Sequence, residues 1–399
     1  MEIRVVDSLD AEVSLLGFGA MRLPQRSDDP SDIDVDVLCG MVDLAIEGGV
    51  NYFDTAPGYH KGFSESAMRK ALVDRYDRES YYLADKLSLF LCETPEDMRA
   101  MFERQIERCH VEYFDFYLIH AITEERYEQC KSFGAFDFAR GLKDSGRVHR
   151  LGFSFHSTPE FLRQVLEEHP GEFEFVQLQI NYLDWRSQRA SEYYGVAREH
   201  GLPVIVMEPV KGGSLANLPS EVTVLDGRLR DQNGQAALAL RFAASLDGVM
   251  TVLSGMSSIE QVRGNLETFS NFAILSDEER ELIERILEET RKISQIPCTS
   301  CAYCVGTCPV GLEIPKLFSI YNELMRSGNE FHARYLYSGI AEGRRADSCI
   351  SCRACVNLCP QGIDIPRELA ALHPKLPLMA MIPDAVRDAS ESGQPPSPG

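Results

Sequence analysis

Eight of the twelve cysteines fall in two runs of one pattern, Cys298-x2-Cys301-x2-Cys304-x3-Cys308 before Pro309 and Cys349-x2-Cys352-x2-Cys355-x3-Cys359 before Pro360. Thiolates at this spacing, closed by proline, build cubane iron-sulfur clusters, so the two runs predict two [4Fe-4S] clusters and redox chemistry. Neither a zinc site nor a disulfide framework normally needs two identical four-cysteine runs. Cys39, Cys92, Cys109 and Cys130 match no ligand spacing. Cys39 and Cys109 lie inside amphipathic helical patterns and read as small buried hydrophobes.

A second set of reactive side chains comes earlier: Asp54, Tyr59, Lys86 and His120, then Ser154, Gln179 and Asn181. Taken singly, each reads as a solvated or satisfied polar group. Together they suit proton transfer to a carbonyl. A Tyr hydroxyl with a pKa near 10 is a poor donor at neutral pH, and an ammonium beside it lowers that pKa by favouring phenolate. Lys86 supplies the charge, Asp54 holds Lys86, and His120 donates to or orients the carbonyl oxygen.

These residues need a frame that gathers them. Up to residue 275, short β-branched or aromatic runs alternate with segments of helical period, the mark of a parallel sheet wrapped by helices. Eight strands are expected, at 15–20, 50–55, 81–86, 114–120, 150–155, 175–181, 203–209 and 250–255, and they predict an α/β (β/α)8 TIM barrel. The polar residues sit at the strands' C-terminal ends, where such barrels build their sites. The opening EIRVV and EVSLL form a hairpin under the barrel. Residues 276–293 begin with a capping box, Ser276 with Glu279, and bury Leu282, Ile283, Ile286 and Leu287 on one helical face. The expected organisation is a barrel over 1–275, a connecting helix over 276–296, a cluster domain over 297–370 and a C-terminal extension over 371–399. Gln295-Ile296-Pro297 marks the boundary, and the tail from Asp384 has a disordered composition.

The barrel segment resembles the aldo-keto reductase family through DTAPGY (54–59) with Ser64-Glu65, ADK (84–86), FYLIH (116–120), GFSFH (152–156) and VLSGMSSIEQVRGN (252–265). The resemblance implies hydride transfer from nicotinamide C4 to a carbonyl carbon, with Tyr59 as general acid, Lys86 and Asp54 tuning it and His120 orienting substrate. It further implies cofactor contacts at Gly19, Ala20, Met21, Asp54, Ser154, Gln179, Met207, Pro209, Gly212, Gly213, Ser254, Gly255, Met256, Gln261 and Asn265. Gly255 and Gln261 stand where many members carry a Lys and an Arg for the adenosine 2′-phosphate, which leans the cofactor, NAD(H) or NADP(H), toward NAD(H). Met207 replaces a Tyr that stacks on nicotinamide, and Phe155 replaces an Asn after Ser154. The cysteine region resembles a two-cluster ferredoxin domain of the α-helical type, because helix-forming residues broken at Gly328 separate the runs. In such ferredoxins the fourth cysteine of each run serves the other cluster. That implies Cys298, Cys301, Cys304 and Cys359 for one cluster, and Cys349, Cys352, Cys355 and Cys308 for the other. The whole chain resembles the subgroup in which the barrel carries a ferredoxin-like domain.

A formal charge of −21 argues against nucleic acid and against anionic membrane surfaces, both of which reward Lys and Arg clusters. The acidity serves solubility or steers a basic redox carrier protein. No apolar run is long enough to span a bilayer, and the N-terminus lacks signal-peptide regions, so a cytoplasmic protein is expected. The partners are then a small-molecule carbonyl substrate and a redox carrier. The clusters exchange electrons with that carrier, brace the fold, or serve a barrel that is only a scaffold. A bound flavin is compatible with the sequence. Segment 121–138, read as a loop, offers Tyr127, Phe133, Phe136 and Phe138 as an apolar substrate wall or as packing.

Overall fold

The computed structural model describes residues 1–376 except 28, 294, 295, 297, 299–303, 360 and 361. Cys301, Pro360, the boundary residues Gln295 and Pro297, and the tail expected to be disordered lie outside the described residues. The chain divides into two compact units, Met1–Ala216 with Asp226–Glu284, and Asn217–Leu225 with the residues from Arg285 onward.

In the first unit β1 (Ile3–Val6) and β2 (Ala11–Ser14) form the expected hairpin, Ile3 opposite Ser14 through Val6 opposite Ala11. Eight parallel strands follow: β3 (Leu16–Gly19), β4 (Tyr52–Asp54), β5 (Tyr82–Leu87), β6 (Phe114–Ile122), β7 (Val148–Phe155), β8 (Phe175–Gln179), β9 (Val204–Met207) and β10 (Val249–Ser254). They close as a barrel in chain order, with β10 returning to β3. Each faces the lumen on one side and helices on the other, which is why they read as near-continuous apolar runs rather than alternating ones. Leu9, Ala11 and Val13 of the hairpin join Tyr52, Phe116, Leu118, Phe175, Ile205 and Met250 in one buried cluster. The Arg150 guanidinium donates to the Leu9 and Asp10 carbonyls, fastening the hairpin to the barrel.

The helices after the strands start from side-chain caps. Asp34, Thr94, Thr123, Thr158, Asp231 and Ser258 each accept a backbone N–H three residues on. Such caps satisfy donors that the first helical turn leaves open, and they fix how each loop leaves its strand. Gly152 of β7 has no room for a side chain, since a Cβ there would lie 2.6 Å from the Phe175 carbonyl oxygen.

One expectation is corrected. Segment 121–138 is not a loop: it continues β6 to Ile122 and then forms the helices Glu124–Phe133 and Ala135–Asp144, broken at Gly134 with φ 68°. Tyr127 and Phe136 are buried against each other and against His169, and Phe138 meets Phe102. These aromatics are packing and do not form a substrate wall.

The helix Asp277–Ile293 opens with the expected box, Ser276 N–H to Glu279 and Glu279 N–H to Ser276, and buries the four expected apolar residues. The second unit is mainly helical, with Ile314–Ser327, Glu330–Ser338 and Ile365–Leu372. Gly328, at φ 63°, ends the first of these. Leu317, Phe318, Ala333, Tyr337, Leu369, Leu372 and Leu376 are buried in its core, which therefore reaches past residue 370.

Candidate active site

β4 and β5 run side by side, so the carboxylate ending one meets the ammonium of the next. Lys86 Nζ donates to Asp54 Oδ1 at 2.5 Å and to the Thr55 carbonyl at 2.8 Å. Tyr59 stands on the turn after β4, with Lys86 Nζ 4.8 Å from its ring centroid. That turn holds His60 and Lys61 at left-handed φ of 51° and 54°. His60 locks it, accepting the Leu23 N–H at Nε2 and facing the Pro30 carbonyl at Nδ1. His120, on β6, has its ring centroid 6.1 Å from that of Tyr59. Its Nδ1 lies 2.6 Å from Ser88 Oγ. A Ser88 hydroxyl donating there would leave the ring hydrogen on Nε2.

Lys86 and Asp54 are buried, Tyr59 and His120 are half-buried, and His156 is exposed. Burial pulls the Lys86 pKa down, but attraction to Asp54 and Tyr59 outweighs it, and the amine stays an ammonium. Burial raises Asp54 against the pull of Lys86. It also raises Tyr59 above the ordinary 10, so the lowering expected from Lys86 is present but outweighed. His120 lies well below the usual range through burial and then the charges of Lys86, His156 and Arg126. The set is thus a phenol that keeps its proton, a cation beneath it and a neutral imidazole beside it. Behind Lys86, Glu65 takes Arg108 at 3.0 Å and lies against the Asp85 carboxyl without a well-formed hydrogen bond. Burial raises both of these acids, and Glu65 raises Asp85 further.

The expected cofactor contacts lie at the ends of β3, β4 and β7 through β10. Gly19 ends β3 so close to β10 that a Cβ would lie 3.4 Å from the Ser254 carbonyl, and Ala20 and Met21 follow. Ser154 Oγ accepts the Ala121 N–H at 2.7 Å, and Ser254 Oγ accepts from Asn265 at 2.9 Å. Gln261 takes the Ser257 N–H at 2.7 Å, and Met256 is buried. Met207 ends β9, and Pro209 leads to Gly212 and Gly213 at φ 63° and 95°, where a side chain would be strained. Two observations fit a dinucleotide. This glycine turn admits close backbone approach, and Asp54 Oδ2 is buried with no donor among the described residues, an acceptor that a ribose hydroxyl would satisfy.

Residues without a distinctive sequence signal complete the frame. Asp184, buried, accepts from Gln179 at 2.9 Å, from Asn181 at 2.8 Å and from Lys211 at 2.7 Å. Glu208, at φ 54°, accepts from Arg22 at 2.7 Å and from the Gly212 N–H at 2.5 Å. Their only trace in sequence is position, just beyond the ends of β8 and β9.

In the second unit Cys308, Cys349, Cys352 and Cys355 line one pocket with Pro309, Ile350 and Leu369. Among the described residues no three His, Cys, Asp or Glu converge as on a single metal ion. Four cysteines lining one pocket suit a cubane, whose ligands bind separate irons. This is the ligand set that the ferredoxin resemblance implies for the second cluster. Cys298, Cys304 and Cys359 pack on the same apolar core. Their fourth partner, Cys301, lies outside the described residues.

Comparison with known proteins bears on the fold and on both parts of the chain. The aldo/keto reductase family profile matches residues 15–223, more than half of the 399-residue chain, and a 4Fe-4S dicluster domain matches residues 297–363. The chain is 27% identical over 215 residues to "Probable aldo-keto reductase 1" of Glycine max, covering 51% of this chain and 57% of that one. It is 23% identical to the "NADH-specific methylglyoxal reductase" of Escherichia coli, covering 70% and 96%. Among solved structures it resembles aldo-keto reductase AKR11C1 from Bacillus halodurans in its holo form, with 26% identity, TM-score 0.57 and coverage of 72% and 96%. No described helix is long and apolar enough to cross a membrane. The chain belongs to the aldo/keto reductase family and carries a 4Fe-4S dicluster domain in its C-terminal part.

Proposed function

We propose that the barrel reduces a small aldehyde or ketone with a nicotinamide cofactor, and that the second unit holds two [4Fe-4S] clusters that exchange electrons with a carrier protein. The single observation that carries the first part is Lys86 Nζ, buried between Asp54 Oδ1 and the Thr55 carbonyl and set 4.8 Å from the Tyr59 ring. When bound, the nicotinamide supplies the hydride. Tyr59 Oη gives its proton to the carbonyl oxygen as negative charge grows there, and Lys86 stabilises the phenolate left behind. His120 Nε2–H, its tautomer set by Ser88, orients the same oxygen. General acid catalysis of this kind is worth about two to four powers of ten in rate.

The cofactor would be held by the segments at Gly19–Met21, Asp54, Ser154, Gln179, Met207–Gly213 and Ser254–Asn265. The lack of charge at Gly255 and Gln261, and likeness to a relative named as NADH-specific, favour NAD(H). Bound clusters pass electrons singly. A second reading has a specific observation behind it: Cys304 and Cys355 are buried in the second unit's own core, so the clusters would also brace that unit.

Anaerobically purified protein is tested with NADH and NADPH against a panel of aldehydes and ketones. Nicotinamide consumption with at least one carbonyl is expected, and consumption with none contradicts carbonyl reduction. Bleaching of the cluster absorbance by nicotinamide would join the two redox systems. Bleaching only by an external low-potential donor, with carbonyl reduction intact, would assign the clusters to a separate role.

A further inference from the structure

Beside Tyr59 and His120 stands a cation that carbonyl reduction itself does not use. Arg126 lies in the first turn of the helix Glu124–Phe133, and its Nη1 donates to the Ala121 carbonyl at 3.0 Å. Ala121 follows His120 directly, at a left-handed φ of 55°, with its N–H given to Ser154. The guanidinium is thereby tethered one residue from the imidazole. Its Cζ stands 4.9 Å from the ring centroid of Phe90, whose ring is 5.3 Å from that of His120. Both His120 and His156 feel its charge.

Among the described residues Arg126 has no carboxylate partner. Glu124 and Glu125 are exposed, and Glu208, the acid that His156 feels, is held by Arg22. With Nη1 engaged, the Nη2 and Nε edge, which has no hydrogen-bond partner among the described residues, is left for a bidentate contact. Phe90 and Leu91, on the turn after β5 and beside Gly58, leave large apolar side chains 44% and 50% exposed. Bare apolar surface next to an unpaired guanidinium suits an amphiphilic ligand.

Resting on the carbonyl-reductase reading, we infer that the substrate is a carbonyl compound that also bears a carboxylate: its carbonyl oxygen at Tyr59 and His120, its apolar body on Phe90 and Leu91, its carboxylate on Arg126. One cation without a counter-ion matches a monoanion. A dianionic phosphate is less well matched.

The test uses anaerobically purified full-length protein and compares 4-carboxybenzaldehyde with its neutral methyl ester, the more electrophilic aldehyde of the two. The acid is expected to show a kcat/KM about 10- to 100-fold higher, carried mostly by KM. In Arg126→Met the acid-to-ester ratio should fall toward one, and in Arg126→Lys part of it should remain. A ratio near one in the parent protein, or a ratio unchanged by Arg126→Met, overturns the inference, as does a preference for 4-formylphenyl phosphate over the acid. Calorimetric titration with benzoate separates this inference from the reading beneath it. Affinity reduced about tenfold in a folded Arg126→Met, with no carbonyl turned over, keeps the carboxylate subsite and removes carbonyl reduction. Equal benzoate affinity in both proteins removes the subsite.

Discussion

Burial and charge act in opposite directions on the tyrosine and the lysine. Tyr59 is raised above 10 because burial exceeds the pull of Lys86, so it holds its proton throughout the neutral range. His120 is depressed well below 6.5 and stays neutral there. Carbonyl reduction should therefore run level from about pH 6 to 9 and fall only above about pH 10, where the phenol ionises. A pH profile of kcat checks this, and a histidine step near pH 6.5 would contradict it. The buried pair Glu65 and Asp85 gives a stability prediction. Both folded pKa values are raised above their unfolded ones, so the pair's stabilisation is complete below about pH 4 and is lost as pH rises through the folded values. Asp85→Asn removes one acid and keeps an oxygen for the Lys86 N–H. Its Tm should exceed that of the parent by about a few degrees at pH 8 and by less at pH 5. Thermal unfolding at the two pH values decides it, and equal or negative shifts would contradict the account. Asp54, Tyr59, Lys86 and His120 were legible because reactive residues at successive strand ends must share one face of a barrel. Ser88 and Asp184 were not, since a hydroxyl or carboxylate gains its role from tertiary partners that spacing does not reveal.

At the scale of elements, all eight barrel strands were readable because strands buried on both sides are unbroken apolar runs between turn signals. Their ends shifted by a few residues, as hydrogen bonding rather than composition sets where a strand stops. The segment 121–138 misled for a physical reason. Its Thr123 cap and Gly134 break are helix signals, yet its aromatics suggested a wall, and only tertiary packing against His169 and Phe102 shows which role they take. Gly152 tests the close approach of β7 and β8. Ala there would set a Cβ against the Phe175 carbonyl, and overpacking of this kind costs about 1–3 kcal/mol. Gly152→Ala should lower Tm by roughly several degrees, and an unchanged Tm would mean that the strands separate freely.

Over the whole molecule, an aldo/keto reductase barrel and a 4Fe-4S dicluster domain share one chain. The charge is unevenly spread: residues 297–376 hold eight Lys or Arg and seven Asp or Glu, so the acidity that gives −21 lies largely in the barrel part. A redox carrier reaching the clusters would meet a near-neutral surface, with little electrostatic steering. The shared pocket of Cys308 with Cys349, Cys352 and Cys355 predicts that Cys308→Ser and Cys355→Ser lose the same cluster. Their residual electron paramagnetic resonance spectra should coincide and differ from that of Cys304→Ser, and matching of Cys308→Ser with Cys304→Ser would contradict the cross-run ligand set. The most direct measurement concerns the barrel. Parent protein and Tyr59→Phe, each saturated with nicotinamide, are mixed anaerobically with a carbonyl substrate and followed through a single turnover. Unchanged nicotinamide affinity is expected, with a loss of about 10²- to 10⁴-fold in the rate of nicotinamide oxidation. An undiminished rate in Tyr59→Phe would contradict it.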